Sequence, residues 1–497
     1  MPAAIQVEKR TASARKQKLC EQVAQQIIGD IISLGWNTGD VLGTEPELLA
    51  RYHVSRATFR EAVRQVERHG AARMRRGSRG GLVVSSPPRG AAVRAMITFF
   101  ELTGIEFAEQ HEVREQLEVA AVRLASERMT PGGAAGLVAI AELLRAPLEI
   151  DASVTATMDL HVAIAKATLN PSLPLFIEAL NGVLPEILKV LRIDAVAAQR
   201  DRELSARFRQ ELIEAMIAKN AARAESLVRQ DVGRRLLAMT SRLANSGAPK
   251  GMIGHLWKVP DWWETAAEGL KLSEKVAFEI VDEIERMGWE ENRNLGNEAA
   301  LQRRLSVSRA VLREAIRQLE LHGIVNIKSG IQGGIYIGKV DSAYTEKIVC
   351  TYLRSTTISM IHLWETQSNL EIFAAEQLTM RATPADIAAL ESHLDRMKSA
   401  TAANYLQLSS PLHAEIADRT GNRVLSLFIR ILLRYGLGTL PAVWQESLPL
   451  LLRIHEKLVE AIQIHDVAGA RHIMTNLFSR SRRWVVTGGP DGSPPAS

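Results

Sequence analysis

The sequence predicts a mainly α-helical fold, built from two copies of one module that each end in an all-helical bundle. The first observation is a repeat: segment 54–57, Val-Ser-Arg-Ala, returns at 307–310, and the glycine pair 80–81 returns at 333–334, both 253 positions later. The second is composition. Aromatic residues make up 5% of a chain that is 46% hydrophobic, so aliphatic side chains must fill the cores. A repeat of this length exceeds the roughly 20–50 residues of solenoid units and indicates duplication of a whole module.

Length, cysteines and hydropathy limit the class of protein. A chain of 497 residues is too long for one core and indicates about three or four domains. Cys20 and Cys350 lie in different halves and make no disulfide framework or metal-binding CxxC pattern. Residues 1–17 are polar and basic, which predicts a disordered arm rather than a signal peptide. The most apolar run, 425–444, carries two arginines and is expected to be a buried helix, so we expect a cytoplasmic protein without a membrane partner.

Each copy opens with two predicted helices. The first helix has aliphatic residues on one face and ends at Gly35, with Gly288 in the same place in the second copy. This face consists of Leu19, Val23, Ile27, Ile28 and Ile31, and in the copy of Leu272, Val276, Ile280, Val281 and Ile284. The second helix begins at Thr44, where Glu47 completes a capping box, and Asn297 is the predicted cap of its copy.

The third predicted helix, 55–68, has one buried face and one basic face. Its buried stripe contains Phe59, Ala62, Val63 and Val66. Its N-cap and opposite face present Ser55, Arg56, Thr58, Arg60 and Arg64, and those of the copy present Ser308, Arg309, Arg313 and Arg317. A helix in the major groove reads bases with its N-terminal residues, and arginine can donate two parallel hydrogen bonds to guanine. This face is therefore the candidate DNA-binding surface.

A basic glycine turn follows the third helix and precedes a β-prone segment, which predicts a wing hairpin. Its candidate DNA-binding residues are Arg76, Gly77 and Arg79 in the first copy and Lys328 and Gly330 in the second. Residues 1–90 contain 15 Lys and Arg against 8 Asp and Glu, a surplus of +7 in a chain whose net charge is +5. A basic surplus concentrated on such a motif indicates a polyanionic partner, which here is double-stranded DNA.

Together, these segments resemble the winged helix-turn-helix domain of the GntR superfamily of bacterial transcription regulators. The resemblance covers roughly 18–86 and 271–339, within predicted domains at 18–86 and 267–339, and rests on Val-Ser-Arg, Arg-Glu-Ala and the glycine wing. It implies DNA contacts from Arg56, Thr58 and Arg60, from their counterparts Arg309, Val311 and Arg313, and from the wing-tip glycines. The family also places a polar contact residue early in the second helix, where this chain has Pro46 and Ala299.

Residues 92–244 and 343–486 are predicted to be the two helical bundles. The motif His-x-x-Ile-Ala occurs at 161–165 and again at 413–417. These regions resemble the effector domain of the FadR-like subfamily. That resemblance implies a bundle of six or seven antiparallel helices, which we call a sensor, and a small organic acid or related metabolite as its ligand.

Many members of that subfamily hold a metal with Asp-x-x-x-His on one helix and two later histidines. Here Thr157 and Ser409 replace the aspartate, and the later positions contain Arg209 and Asp231 in the first sensor and His455 and Leu477 in the second. No four-ligand set is complete, so we predict no metal. His413 and His455 are the remaining metal candidates.

The candidate effector-binding residues are Arg114, His161 and Arg209 in the first sensor, and His413 and His455 in the second. The cationic groups of the first sensor could neutralise a carboxylate. The alternative for Arg114 is an ion pair with Glu118 on the next turn. Gln367 occupies the place of Arg114 in the second sensor, so the two sites have diverged.

These patterns predict a ligand-responsive, sequence-specific DNA-binding regulator that has no cofactor and is not an enzyme. It is expected to act as a homodimer or as an intramolecular pseudo-dimer. The glycine- and proline-marked segment 245–266 is the predicted linker, and 487–497 a disordered tail. No P-loop, HExxH motif or nucleophile-elbow pattern occurs. The alternatives are a helical scaffold without specific DNA binding and an enzyme with a fused regulatory head.

Overall fold

The computed structural model describes residues 19–77, 80–144, 150–183, 195–245, 271–328, 333–356, 358–437 and 445–487. The mainly α fold class is confirmed: helices dominate every described range, and the strands are short and confined to the two winged heads. Four predictions concern segments outside those ranges, namely the N-terminal arm, most of the linker, most of the C-terminal tail, and the wing residues Arg79 and Gly330.

The first head contains three helices and a two-stranded wing. The helices are α1 (19–33), α2 (Glu45–Tyr52) and α3 (Arg56–Arg68), and the strands are β1 (Ala72–Arg75) and β2 (Gly81–Val84). The strands pair antiparallel, with Ala72 opposite Val84 and Arg75 opposite Gly81. One core joins them, built from Val23, Ile27, Ile31, Leu48, Phe59, Val66 and Leu82 among others.

The local signals for these helices are confirmed with one exception. Glu47 accepts a hydrogen bond from the Thr44 backbone amide at 2.8 Å, and the Ser55 hydroxyl caps α3 by accepting from the Thr58 amide at 3.2 Å. Gly35 ends α1 with a positive φ of 81°. Leu19 and its counterpart Leu272 differ from the rest of the aliphatic face, which is buried, because they are 41% and 55% exposed.

The second head repeats this arrangement. Its helices are α11 (Leu272–Arg286), α12 (Glu298–Arg304) and α13 (Arg309–Leu321), and its strands are β3 (Asn294–Gly296), β4 (Val325–Lys328) and β5 (Gly334–Ile337). The sheet order is β3-β5-β4, antiparallel throughout. Asn297 caps α12 by accepting from the Ala300 amide at 2.8 Å, as predicted.

A matched tryptophan fixes the wing in both heads. The Trp36 indole N–H donates to the Ser85 carbonyl at 3.0 Å, and the Trp289 indole donates to the Gly338 carbonyl at 3.2 Å. Both bonds run from the turn after the first helix to the end of the second wing strand, so the hairpin is held against the helices at its base.

Each sensor contains seven described α-helices. Those of the first are α4 (Arg89–Thr103), α5 (Phe107–Arg128), α6 (Pro131–Leu143), α7 (Ile150–Ala167), α8 (Ser172–Gly182), α9 (Ala195–Ile217) and α10 (Ala221–Asn245). Those of the second are α14 (Ala343–Ser355), α15 (Met360–Arg381), α16 (Pro384–Met397), α17 (Tyr405–Arg419), α18 (Arg423–Leu437), α19 (Leu448–Gln463) and α20 (Val467–Thr487). The long helices α5 and α15 pack against the last helix of their own sensor.

The chain forms two compact units. One contains the described residues up to Ala95 together with 347–356, most of which belongs to α14, and the other contains the described residues of 96–346 and those from Ile358 onward. Within the first unit, the Ser86 hydroxyl donates to the Ser355 hydroxyl at 3.3 Å. Within the second, the Phe99 ring lies 6.4 Å from the His322 ring. The first head is thus grouped with part of α14, the helix that follows the second head. The second head is grouped with part of α4, the helix that follows the first head.

The two sensors pair within the second unit. Phe176 of α8 stacks on Phe428 of α18, its counterpart 252 positions later, with ring centroids 4.2 Å apart and planes 7° from parallel. Both rings are fully buried. A residue that stacks on its own copy marks the axis of a pseudo-two-fold contact.

Hydrogen bonds follow the same pseudo-symmetry. The Asn170 side-chain amide donates to the His362 carbonyl at 2.8 Å, and the Asn422 amide donates to the Glu109 carbonyl at 2.9 Å. Both asparagines also donate to a carboxylate of the opposite sensor, Glu365 and Glu112 respectively. The duplicated sensors therefore bury one shared surface inside a single chain.

None of the described helices combines the length and the hydropathy that a membrane-spanning helix requires.

Candidate nucleic-acid interface and effector sites

The N-terminal half of α3 carries the predicted DNA-binding side chains of the first head. Arg56, Arg60 and Arg64 have side chains 67%, 62% and 66% exposed. They rise from a helix whose opposite face, including Phe59 and Val66, is fully buried. The core therefore fixes the helix while the guanidinium groups remain accessible to a duplex.

Thr58 departs from the prediction that it lies on the exposed face. The residue is 4% exposed, and its hydroxyl lies 2.8 Å from the Ser55 hydroxyl. Because the capping geometry turns the side chain back toward the helix N-terminus, Thr58 supports the cap. The exposed face consequently consists of Ser55 and the three arginines.

The second head presents a matching basic face on its recognition helix. Arg309 and Arg313 have side chains 64% and 59% exposed, and Ser308 and Arg317 are also exposed. The Ser308 hydroxyl caps α13 by accepting from the Val311 amide at 3.3 Å. Val311, half-buried, offers no polar group where Thr58 stands in the first head.

A glutamate at the start of the second helix contacts two recognition arginines in each head. Glu45 Oε1 lies 3.0 Å from Arg60 Nε and 3.6 Å from Arg56 Nε. Glu298, one repeat later, lies 2.6 Å from Arg313 Nε and 2.9 Å from Arg309 Nε. Hydrogen bonds from Arg313 and then from Arg309 lower the pKa of Glu298. Sequence reasoning did not assign a role to these two glutamates.

The wing differs in charge between the heads. Arg76 and Gly77 are exposed at the end of β1, and Gly77 has a φ of 107°, which favours glycine at this turn. In the second head, Lys328 is exposed, its ammonium lies 4.0 Å from the centre of the Tyr336 ring, and it donates to Asn292 at 3.3 Å. The first wing therefore offers more cationic surface to a phosphate backbone.

The first sensor contains a buried network of charges. Arg114 Nη1 lies 3.0 Å from Glu118 Oε1 and donates to Asn181 at 2.9 Å. Arg235 of α10 lies 2.8 Å from the other Glu118 oxygen and 3.0 Å from Asp231. The alternative pairing of Arg114 with Glu118 is thus present. Arg235 was missed because it lies far from Glu118 in sequence, its one local signal being the i, i+4 spacing from Asp231.

The geometry of the network fixes the protonation of His161. Arg235 Nη1 lies 3.2 Å from His161 Nε2, which must therefore accept, and His161 Nδ1 lies 3.4 Å from Glu118 Oε1. Burial, only partly opposed by Glu118, lowers the pKa of His161 to about 4. Burial alone would raise the pKa of Glu118, but Arg235, His161 and Arg114 hold it well below its usual range. At neutral pH the network therefore contains a neutral imidazole and an ionised carboxylate.

Two donor atoms of Arg114 stay unused in this network. Nε and Nη2 are buried, and neither has a hydrogen-bond partner among the described residues. Arg114 itself is 2% exposed, and burial lowers its pKa. Arg209 is half-buried on α9, where burial lowers its pKa and Asp231 opposes that effect. A buried guanidinium with two free donor nitrogens is suited to a bidentate carboxylate.

The second sensor has replaced the arginines with neutral groups. Gln367 donates to Glu371 at 2.6 Å, and Glu371 lies 2.7 Å from His413 Nδ1. His413 Nε2 lies 3.0 Å from His455 Nε2, and His455 Nδ1 lies 2.7 Å from the Leu451 carbonyl. Burial and then the charge of His413 lower the pKa of His455 to about 3. The two sensors thus present different chemistry at equivalent positions.

The residues present do not fit the metal site of the subfamily. The two imidazoles of the second sensor contact each other, and Ser409 stands where an acidic ligand is required. Among the described residues, no group of three or more His, Cys, Asp or Glu side chains could hold a metal ion.

Comparison with known proteins decides the family. The family model of bacterial regulatory proteins, gntR family, matches residues 19–83 and 272–337, and the FCD domain model matches 109–234 and 362–480. Together these matches span well over half of the chain. The chain belongs to the GntR family of bacterial regulators. It contains two GntR DNA-binding domains and two FCD effector domains in tandem, as the repeat predicted.

Three proteins that this chain resembles each match less than half of it. The Uxu operon regulator of Haemophilus influenzae is 26% identical over 191 residues, which cover 36% of this chain and 69% of that protein. A GntR structure from Streptococcus agalactiae matches with a TM-score of 0.35 and 22% identity, covering 42% of this chain and 99% of that one. E. coli McbR/YncC matches with a TM-score of 0.24 and 17% identity, covering 44% and 98% respectively.

The function follows from the two kinds of domain. This GntR-family chain is a DNA-binding transcription regulator that responds to a small metabolite, with DNA-binding heads and effector-binding sensors both present twice.

Proposed function

We propose that one chain reads one operator with both heads, as an intramolecular pseudo-dimer, and that an anionic effector bound in the first sensor changes its operator affinity. The stack of Phe176 on its copy Phe428 carries the first part of this proposal. A contact that two chains would make through the same patch is already satisfied within one chain. Because the heads differ, the operator need not be a symmetric palindrome.

The effector class follows from the free donors of Arg114. Leaving two donor nitrogens of a buried guanidinium without partners costs free energy, and the two oxygens of a ligand carboxylate would each accept from one of them. His161 and Arg209 complete a site in which Glu118 is already neutralised by Arg235. The second sensor has Gln367 and His455 at the equivalent positions, so it lacks the cations for the same ligand. One carboxylate effector per chain is the expected stoichiometry.

Titration calorimetry with a panel of short mono- and dicarboxylic acids tests the effector proposal. Arg114→Met should abolish binding of the acid that the wild-type chain takes up. Gln367→Met, the same change at the repeat counterpart, is the matched control and should leave binding intact. Two equivalent carboxylates bound per chain, or an acid that still binds Arg114→Met, would contradict the assignment.

We also propose Ser55, Arg56, Arg60 and Arg64 with Arg76 and Gly77, and Ser308, Arg309, Arg313 and Arg317 with Lys328, as the DNA contact surface. Their exposure supports this. A helical scaffold would tolerate loss of Arg56 and Arg60, whereas a regulator should lose operator binding while remaining folded. Because DNA is the partner, we place the chain in the cytoplasm, and we propose no enzymatic activity.

A further inference from the structure

We propose that Glu45 and Glu298 determine specificity by holding the paired recognition arginines of each head in the orientation that reads guanine. The inference rests on the proposed DNA-reading role of Arg56, Arg60, Arg309 and Arg313. It adds two acidic residues to a surface whose attraction for DNA comes from cations.

The same acid–arginine triad occurs in both heads. Glu45 and Glu298 are the first residues of α2 and α12 and lie one repeat length apart. Each carboxylate oxygen that contacts the two arginines does so at Nε, at 3.0 and 3.6 Å in the first head and 2.6 and 2.9 Å in the second. The second head has lost its basic surplus but keeps this triad.

The glutamate contacts one particular edge of the guanidinium group, and this decides which N–H groups remain for DNA. In Arg60 and Arg313 the carboxylate takes Nε and one Nη2 hydrogen. The terminal edge formed by Nη1 and Nη2 is therefore left for a base. That edge is the fork that donates to O6 and N7 of guanine.

The contribution of these carboxylates to folding stability is too small to explain why both heads have them. The four arginine side chains are 59–67% exposed, and exposed ion pairs contribute little to folding. A carboxylate beside the DNA face also repels phosphates and weakens non-specific binding. Two long side chains held in one orientation lose less freedom when they bind a base. Both effects raise the ratio of operator affinity to random-DNA affinity.

The test compares Glu45→Gln/Glu298→Gln with Glu21→Gln/Glu290→Gln in the full chain. The second pair makes the same charge change in each head, at exposed Glu21 of α1 and at Glu290, which pairs with Arg293. The operator is first obtained by selecting binding sites from random duplexes with the wild-type chain. Binding is then measured by fluorescence anisotropy on that operator and on a random duplex.

For Glu45→Gln/Glu298→Gln we expect the ratio of operator to random-DNA affinity to fall on the order of 10-fold, with affinity for random DNA unchanged or raised. The control pair should keep the wild-type ratio. An unchanged ratio in the glutamate variant overturns the inference. If the wild-type chain selects no sequence at all, the proposed DNA-reading function fails instead.

A modified operator separates positioning from direct base contact. Replacing its guanines with 7-deazaguanine removes the N7 acceptor and should weaken the wild-type chain far more than the glutamate variant. Equal sensitivity in both proteins would contradict the proposed role of the glutamates, because it would show that the arginines still read guanine without them. A melting temperature close to wild type shows that the variant is folded, because only exposed ion pairs are lost.

Discussion

Arg60 and Arg76 should affect DNA binding in different ways, although both are exposed arginines of the first head. Arg60 lies on the recognition helix, so Arg60→Ala should cost about 1–3 kcal/mol of specific binding and relax the base preference. Arg76 lies on the wing, so Arg76→Ala should weaken operator and random DNA evenly and reduce the salt slope by about 1. Fluorescence anisotropy titrations at several salt concentrations measure both the loss of affinity and the change in salt slope. Retention of full operator preference by Arg60→Ala would show that the recognition face is misassigned.

A buried histidine of the second head should make stability depend on pH. Burial lowers the pKa of His322 to about 4, and its ring packs near Phe99 and Tyr344. The folded pKa lies below the unfolded value of about 6.5, so the stabilisation from the neutral ring is present above that value and is lost as pH falls toward 4. At pH 5 this loss amounts to about 2 kcal/mol.

His322→Phe should therefore reduce the drop in melting temperature between pH 7 and pH 5. His472→Phe, at an exposed position, is the control and should leave that drop as in the wild type. An identical pH dependence in His322→Phe and the wild-type chain would contradict the assignment of this titration to His322.

Residues whose role depends on the next turn of chain were predictable, and residues whose role depends on distant partners were not. Ser55 and Asn297 were identified as caps because a cap acts within three residues. Thr58 was misplaced because its hydroxyl returns to Ser55 rather than following the exposed face. Arg235 contacts Glu118 across 117 positions, and no single sequence shows that pairing.

At the scale of elements, the two heads share a fold but differ in charge. Residues 1–90 have a surplus of +7, whereas 268–340 contain 11 Lys and Arg against 11 Asp and Glu. The duplicated helices keep their caps and buried stripes, because the fold requires these. The surface charge is free to diverge, since folding places few demands on it.

The first head should therefore supply most of the phosphate attraction. In the full chain, Arg56→Ala/Arg60→Ala should weaken binding to random duplex DNA more than Arg309→Ala/Arg313→Ala, although both remove two charges. The expected salt slope is about −0.9 for each phosphate contact, so the first variant should also lose more of its salt dependence. Equal losses of affinity and slope in the two variants would show that both heads engage DNA alike.

The sensors show which features of an element the sequence reveals. Helical spacing predicted the bundles, and the repeat placed His161 and His413 at matching positions. The buried side chains that contact these two histidines differ, however. His161 faces Arg235 and Glu118, whereas His413 faces His455 and Glu371. Hydrophobic periodicity in one helix identifies its buried face, but it does not identify the side chains of other helices that contact that face.

At the scale of the whole molecule, the pairing of the sensors should set the stoichiometry on DNA. We expect light scattering to find one chain per operator, with further dimerisation not required. Phe428→Ala should lower stability by about 3–5 kcal/mol, because it removes a fully buried ring from the pseudo-two-fold contact. Leu450→Ala, at a partly exposed position, is the control. A strict requirement for two wild-type chains on each operator would rule out the intramolecular assembly.

The stack of Phe176 on Phe428 also changes how the regulator depends on its own abundance. Separate subunits dissociate on dilution, so the fraction of paired protein in a cell falls as its concentration falls. Two sensors joined in one polypeptide meet at an effective concentration set by their tether. Operator occupancy should then follow the number of chains in direct proportion rather than with its square. Each half of the chain can also acquire substitutions independently of the other. One gene can therefore encode a permanent pair of unequal sensors, of which one binds the ligand and the other need not.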